Sequence, residues 1–233
     1  MKLQYIGDVR DAFKWDLLHW LITTSEPAFN QLSMVPMLTP AIENNEGNIP
    51  HHLFNCRPFI RNFLNDIRRN RKLNSLRELG LISPEGKTFD VNIYGDNTSF
   101  ISTGRDRAGY WDEFKPELLK NTVIFLDPDN GFETKTQKAT KWLRHNELRD
   151  IVNRMPENSV IVVYQHRPRR TWDAVFNDIA TGIDYAVSVD AVYESNLAFI
   201  VMSKGLETAK RIKASMVRYC QNQGSKVKYC ELI

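Results

Sequence analysis

Two carboxylates and an amide stand together where an apolar run stops. Thr122-Val123-Ile124-Phe125-Leu126 passes directly into Asp127-Pro128-Asp129-Asn130-Gly131-Phe132. Carboxylates at the end of a buried strand can hold a metal, accept a proton or bind an amine. Pro128 stiffens the turn, and Asn130-Gly131 tolerates positive φ. Phe132 is expected to be an exposed aromatic able to stack on a planar ligand. Asp127, Asp129 and Asn130 are the candidate catalytic residues. The competing reading is an ordinary turn, because Pro, Asp, Asn and Gly dominate turns for conformational reasons alone.

Other stretches offer complementary chemistry. Lys14 follows Gly7-Asp8 and Asp11 on an amphipathic segment, where an acidic turn can pack over a pocket; the alternative is a solvated or snorkelling cation. Asp96, in Tyr94-Gly95-Asp96-Asn97, can accept hydrogen bonds from a ribose as strand-end acids do in dinucleotide folds, or simply form a turn. Arg105 lies in Thr103-Gly104-Arg105-Asp106-Arg107-Ala108-Gly109-Tyr110-Trp111, a mixture expected as a loop suited to phosphate contact and base stacking. Tyr164-Gln165-His166-Arg167-Pro168-Arg169-Arg170 offers one imidazole for proton transfer and three guanidinium groups for phosphates. His166 equally fits a structural, hydrogen-bonded role. Arg57, Arg61, Arg68, Arg69, Arg71, Lys72 and Arg77 crowd one helical segment, either a second basic patch or a solvated helix face. His51-His52 and His145 lack metal-ligand spacing, and Cys56, Cys220 and Cys230 lack C-x-x-C spacing, so neither a zinc site nor a disulfide framework is expected.

These residues need a scaffold, and hydrophobic periodicity supplies one. Phe13, Leu17, Leu18 and Leu21, widened by Trp15 and Trp20, predict a helix over residues 11–23. Residues 32–38 read as a short strand interrupted by Pro36, and residues 41–50 as a loop. Phe59, Phe63, Ile67, Leu73, Leu76 and Leu79 give one long helix or two short ones ending at Gly80, a helical segment at about residues 53–80. Residues 89–94, 122–126 and 160–164 are short β-rich apolar runs separated by helical segments, the pattern of parallel strands covered on both faces. After a helix over 172–181, strands over 185–193 and 197–203 are joined by only Glu194-Ser195-Asn196 and form an antiparallel hairpin. A helix over 206–221 and a strand over 226–232 close the chain. The expected fold is therefore α/β, a Rossmann-like three-layer sandwich with a mostly parallel sheet and a carboxy-terminal antiparallel hairpin. In such sheets ligands bind beyond the carboxyl ends of the strands.

The 233 residues, 42% hydrophobic and 25% charged, suit one domain over residues 1–233. No apolar run approaches the roughly 20 residues that span a bilayer. The amino terminus runs straight into Asp8, Arg10 and Asp11 rather than a secretory apolar stretch, so the expected location is cytoplasmic, without a membrane partner. A net charge of +3 is too small to demand a polyanion, so nucleic acid is expected, if at all, through the local basic patches.

Resemblance sharpens this expectation. The strand followed by Asp127-Pro128-Asp129-Asn130 resembles the Asp-Pro-Pro-Tyr type motif of adenine amino-methyltransferases, in which the acidic residue or Asn accepts hydrogen bonds from the target amino group. Asp11-Ala12-Phe13-Lys14-Trp15-Asp16-Leu17-Leu18 resembles the Asp-x-x-Lys-His helix of a bacterial 23S ribosomal RNA adenine-N6 methyltransferase, where the Lys lies near the cofactor. Thr181-Gly182-Ile183 and the following hairpin are similar to the closing strands of S-adenosylmethionine methyltransferases. The likeness covers about half the chain loosely. It departs at Met37-Leu38-Thr39-Pro40, which lacks a Gly-x-Gly turn, and at Asn130, which stands where the aromatic is expected. The same segments also look like a group of uncharacterised bacterial and phage proteins. The resemblance implies an S-adenosylmethionine-dependent methyltransferase-like protein acting on an amino group of nucleic acid. Lys14 and Asp96 would then line the cofactor, Asp127 and Asn130 would orient the acceptor, and Arg105, Arg167, Arg169 and Arg170 would hold phosphates. Two other readings stay open. One is a magnesium-dependent phosphodiesterase or nuclease using Asp127, Asp129 and Asp96. The other is a non-catalytic nucleic-acid or protein binding module of the same fold.

Overall fold

The structure is a computed structural model that describes residues 2–40, 54–82, 86–95, 105–112, 114–134, 139–186 and 188–233. Among these residues one seven-stranded sheet has the order β2-β1-β3-β6-β8-β7-β9. Its strands are β1 (Gln31–Val35), β2 (Asp90–Ile93), β3 (Thr122–Leu126), β6 (Val160–His166), β7 (Ser188–Tyr193), β8 (Leu197–Ser203) and β9 (Lys228–Glu231). The pairings of β1 with β2, β1 with β3 and β3 with β6 are parallel, whereas β8 is antiparallel to β6 and β7, and β9 is antiparallel to β7. Five strands therefore point one way and two the other. Two short strands, β4 (Gly131–Phe132) and β5 (Trp142–Leu143), pair beside the main sheet.

The sheet is covered on both sides because its strands alternate two apolar sets. On one side Val123, Phe125, Val160, Val162 and Phe199 meet α1 (Val9–Thr24), α2 (Pro58–Asn70) and α6 (Leu206–Gln223). On the other, Ile124, Leu126, Ile161, Val163 and Ile200 meet α3 (Arg105–Asp112), α4 (His145–Arg154) and α5 (Trp172–Gly182). β3 is buried along its whole length, as a central strand of near-continuous apolar residues must be. None of the described helices is long and apolar enough to cross a membrane.

Several expected boundaries move for physical reasons. β1 stops at Val35, immediately before Pro36, which has no N–H to continue the ladder. The basic segment breaks at Arg71, whose φ of 45° is left-handed, and a 3-10 helix runs on over Leu73–Leu81. Gly80 lies inside that element instead of capping it. A Cβ there would stand 2.0 Å from the carbonyl oxygen of Phe89, so the glycine admits the chain entering β2. The segment expected as an Arg-rich loop is helical over Arg105–Asp112, and the strand expected over residues 185–193 begins at Ser188. The loop expected over residues 41–50 lies outside the described residues.

Candidate functional site at the carboxyl end of the sheet

The order of the parallel strands reverses between β1 and β3: the chain leaves β1 for β2 on one side, then returns to β3 on the other. At such a switch point the loops after the two strands separate and leave a crevice. The loop after β3 is Asp127-Pro128-Asp129-Asn130, and that after β1 reaches Thr39. The backbone N–H of Asp127 donates to Val35 O (3.0 Å), extending the pairing by one bond, and the Thr39 hydroxyl donates to the Asp129 carboxylate.

Asp127 is only 2% exposed, and its counter-charge comes from 113 residues earlier in the chain. Lys14 Nζ lies 2.9 Å from Asp127 Oδ2 and 2.8 Å from Asp11 Oδ1. The ammonium is 5.4 Å from the Trp15 ring and 5.6 Å from the Tyr164 ring. Burial alone would lower the Lys14 pKa, but the two carboxylates outweigh it and hold the value raised, so Lys14 is a fixed cation. Its position follows from the start of α1. Gly7, at φ +81°, turns the chain, and its N–H donates to Asp11 Oδ2 (2.8 Å). Asp8 then caps the helix, accepting from Arg10 N (2.8 Å) and Asp11 N (3.2 Å). Burial, reinforced by the Asp11 charge, raises the Asp8 pKa to about 6.

Gln165, buried at the end of β6, holds the other side of the loop. Its Nε2 donates to Asn130 O (3.1 Å) and His166 O (2.7 Å), while its Oε1 accepts from Phe132 N (2.9 Å). Gly131 makes this possible, with φ at +109° and a Cβ position only 2.1 Å from Gln165 Oε1. The Asn130 backbone is thus fixed at both ends, by Lys141 O on its N–H and by His166 N on its carbonyl. Its side-chain amide has no hydrogen-bond partner among the described residues.

The structure unites Lys14, Asp127, Asp129, Asn130 and His166 at one end of the sheet, but it revises other expectations. Phe132 is 3% exposed and packs against His145 with ring centroids 5.7 Å apart, so it is a core residue and not a stacking surface. Arg167 is exposed but donates to Ser195 O (3.0 Å) in the turn between β7 and β8. Arg170 is engaged by Asp178 at 2.5 Å, leaving Arg169 as the exposed arginine of the three without a partner among the described residues. His166 is half-buried, and burial with the nearby Arg10 charge lowers its pKa. Asp96 lies outside the described residues, and Arg105 opens α3.

Its neighbour Arg107 is 1% exposed and pairs with Glu147, bracing α3 on α4 instead of reaching solvent. The other basic segment is also largely committed. Arg57 binds Asp16 (2.7 Å), Arg71 donates to Gln4 O (2.5 Å), Arg77 donates to Val91 O (3.1 Å), and Arg69 lies 3.7 Å from Asp66. Among the described residues no group of three or more His, Cys, Asp or Glu side chains gathers as a metal site.

Sequence reasoning undervalued Asp8 and missed Tyr164 and Gln165. Tyr164 is 5% exposed, and burial raises its pKa well above that of a free phenol, so its hydroxyl stays a neutral donor. That hydroxyl has no hydrogen-bond partner among the described residues. The available signal was the polar sequence Tyr164-Gln165-His166 at the end of an otherwise apolar strand. No protein-family model matches the chain, and no curated protein matches it.

Proposed function

We propose that this chain is a Rossmann-like, S-adenosylmethionine-dependent methyltransferase-like protein that acts on an amino group in nucleic acid. The observation that carries the reading is the 2.9 Å contact between Lys14 and Asp127 at the switch point. It joins the two segments that resemble methyltransferase motifs, a helix before the first strand and a strand-end acidic loop, at the place where open α/β sheets take ligands. Methyl transfer relies on positioning more than on acid–base power, which suits a site whose main cation is locked in a buried pair. The residues present suit a polar cofactor, since the Asn130 amide and the Tyr164 hydroxyl have no hydrogen-bond partner among the described residues. Bound S-adenosylmethionine would supply the methyl group. Lys14 holds Asp127 in place, Asn130 presents its amide to the acceptor, and Arg169 is left to meet phosphate.

The geometry favours this over magnesium chemistry. Asp127 already holds an ammonium, and Asp129 accepts from the Thr39 hydroxyl, so both carboxylates are already engaged by groups of the protein. The test is calorimetric titration with S-adenosylhomocysteine together with transfer of labelled methyl groups to nucleic acid. Wild-type protein should bind the cofactor product. Asn130→Ala should keep that binding and lose transfer. A folded protein that binds neither S-adenosylmethionine nor S-adenosylhomocysteine sinks the reading.

A further inference from the structure

A cleft also opens at the opposite, amino end of the parallel strands, away from the acidic loop. Its volume is about 690 Å³, within the roughly 300–1,000 Å³ of small-molecule sites. Four segments distant in sequence wall it: the turn Glu26-Pro27 before β1, Asn121 before β3, Asn158 before β6, and the first two turns of α6. α6 reaches this end because it follows β8, whose Ser203 pairs with Val160 at the start of β6. A Cβ on Gly205 would stand 2.6 Å from Glu157 O, so the glycine lets α6 begin against the turn that carries Asn158.

The lining holds donors that the protein leaves unmatched. α6 begins at Leu206 with no side chain capping it, so the N–H groups of its first turn are free and carry the partial positive charge of the helix end. A hydroxyl stands among them. Thr208 is 7% exposed and lines the cleft, and its side chain has no hydrogen-bond partner among the described residues. The charges are uneven too. Lys210 Nζ is matched by Glu207 at 2.7 Å, but Arg211 has no carboxylate partner among the described residues. Its Nη1 donates to Pro27 O, its Nη2 donates to Asn158 O (3.5 Å), and the guanidinium lies 4.4 Å from the centre of the Phe29 ring. Arg211 Nε is buried without a partner. Free N–H groups at a helix start, a buried hydroxyl and an unpaired guanidinium together suit a phosphoryl group. Glu26, the remaining charge of the cleft, makes no ion pair among the described residues and can accept from hydroxyl groups of the same ligand.

We infer that this cleft binds a phosphorylated small molecule of nucleotide size, its phosphoryl group on the first turn of α6 and Thr208, its sugar hydroxyls towards Glu26. The inference does not depend on the methyltransferase reading, because it uses no residue of the site at the carboxyl end of the sheet.

The test is calorimetric titration of the full chain with adenosine 5′-monophosphate, and with adenosine and inorganic phosphate as the two parts of that probe. Hydrogen exchange with and without the nucleotide locates the binding. The monophosphate should bind at least about tenfold more tightly than adenosine, be displaced by inorganic phosphate, and protect the amides of residues 206–208. Thr208→Val keeps the side-chain shape and removes the hydroxyl, so it should weaken the monophosphate about tenfold, and Thr208→Ser should restore it. Leu206→Asp gives a second reading that does not endanger the fold. Leu206 is 60% exposed, and an acid there favours the helix start while repelling the phosphate, so binding of the monophosphate should fall and that of adenosine should not. Thermal melts verify that each variant is folded. The inference is overturned if folded wild type does not bind the monophosphate, if adenosine binds as tightly, or if folded Thr208→Val and Leu206→Asp bind like wild type. Monophosphate that is displaced by S-adenosylhomocysteine and protects the loop after β3 occupies the other end of the sheet, and that result also overturns it.

Discussion

Replacing Lys14 by Met tests whether the buried ion cluster holds the fold and the site together. Met fills similar volume, so little cavity forms, and the change isolates the loss of charge. Lys14 is 5% exposed and sits between Asp11 and Asp127 at 2.8 and 2.9 Å. Its removal strands two nearly inaccessible carboxylates beside a third, Asp8. Breaking a buried pair by deleting one partner typically costs about 3–5 kcal/mol. For a chain of this size each kcal/mol lowers Tm by roughly 2–4 °C, so the melt should fall by about 6–20 °C at neutral pH. The loss must depend on pH. Without the ammonium the folded-state carboxylate pKa values rise above their unfolded values, so the penalty is present at neutral pH and fades as the pH drops through them. Asp127→Asn added to Lys14→Met should recover part of the loss, because it removes one stranded charge. Thermal and denaturant melts of the single and double variants at pH 5 and pH 8 measure all three effects. A Lys14→Met protein melting within about 2 °C of wild type at both pH values would refute the argument.

Other outcomes follow from the same geometry. Asp8, with its pKa raised to about 6 by burial, is more comfortable protonated in the fold than in the unfolded chain, so its contribution is present at low pH and lost as pH rises through about 6. Asp8→Asn should therefore reduce the fall in stability between pH 4 and 7, by up to roughly 2–3 kcal/mol in a pH series of chemical melts. Gly131→Ala meets both a φ of +109° and the side chain of Gln165, and should cost about 2 kcal/mol or more while speeding hydrogen exchange at the Phe132 amide. Arg107→Ala leaves Glu147 buried without its cation and should cost about 3–5 kcal/mol, whereas exposed Arg169→Ala should leave the melt within about 0.5 kcal/mol of wild type. If the phosphate role is right, Arg169→Ala reduces the salt slope of nucleic-acid binding by about one, and Arg170→Ala, already engaged by Asp178, has the smaller effect.

How much of this was legible in the sequence depended on whether a signal was local. The apolar runs that became β3, β6 and β8 and the periodic helices α1, α5 and α6 were plain, because burial on both faces forces continuous apolar strands and helices keep a 3.6-residue stripe. The break at Arg71 was not, since a left-handed non-glycine residue has no signature of its own. The Asp127 loop stood out by composition, yet its meaning was set by Lys14, 113 residues away, which no spacing rule connects to it. Phe132 was misjudged for a related reason. An aromatic in a polar loop looks exposed until β4 and β5 pair and carry it under α4. Composition likewise left the basic helical segment open as a binding patch or a solvated face, but guanidinium groups also serve as struts, and Arg57, Arg71 and Arg77, like Arg107 in α3, each find a carboxylate or a backbone carbonyl instead.

The burial of α1 explains why structure and site are hard to separate in this chain. An ordinary surface helix of an α/β domain hides one stripe, but α1 is enclosed along nearly its whole length, with Asp11, Lys14, Asp16 and His19 buried among its apolar residues. Each buried polar group on it must be answered by another element. Asp16 is met by Arg57, Tyr219 and Gln223, and His19 Nε2 lies 2.8 Å from Ile82 O. Towards the amino end of the helix the answers come from the sheet, where Lys14 takes Asp127. At the amino end Asp8 closes the series by capping the helix, accepting from Arg10 N and Asp11 N. The buried polar groups of α1 thus tie it to its neighbours along its length, and Lys14 ties its amino-terminal half to the carboxyl end of the sheet, where the strand order reverses.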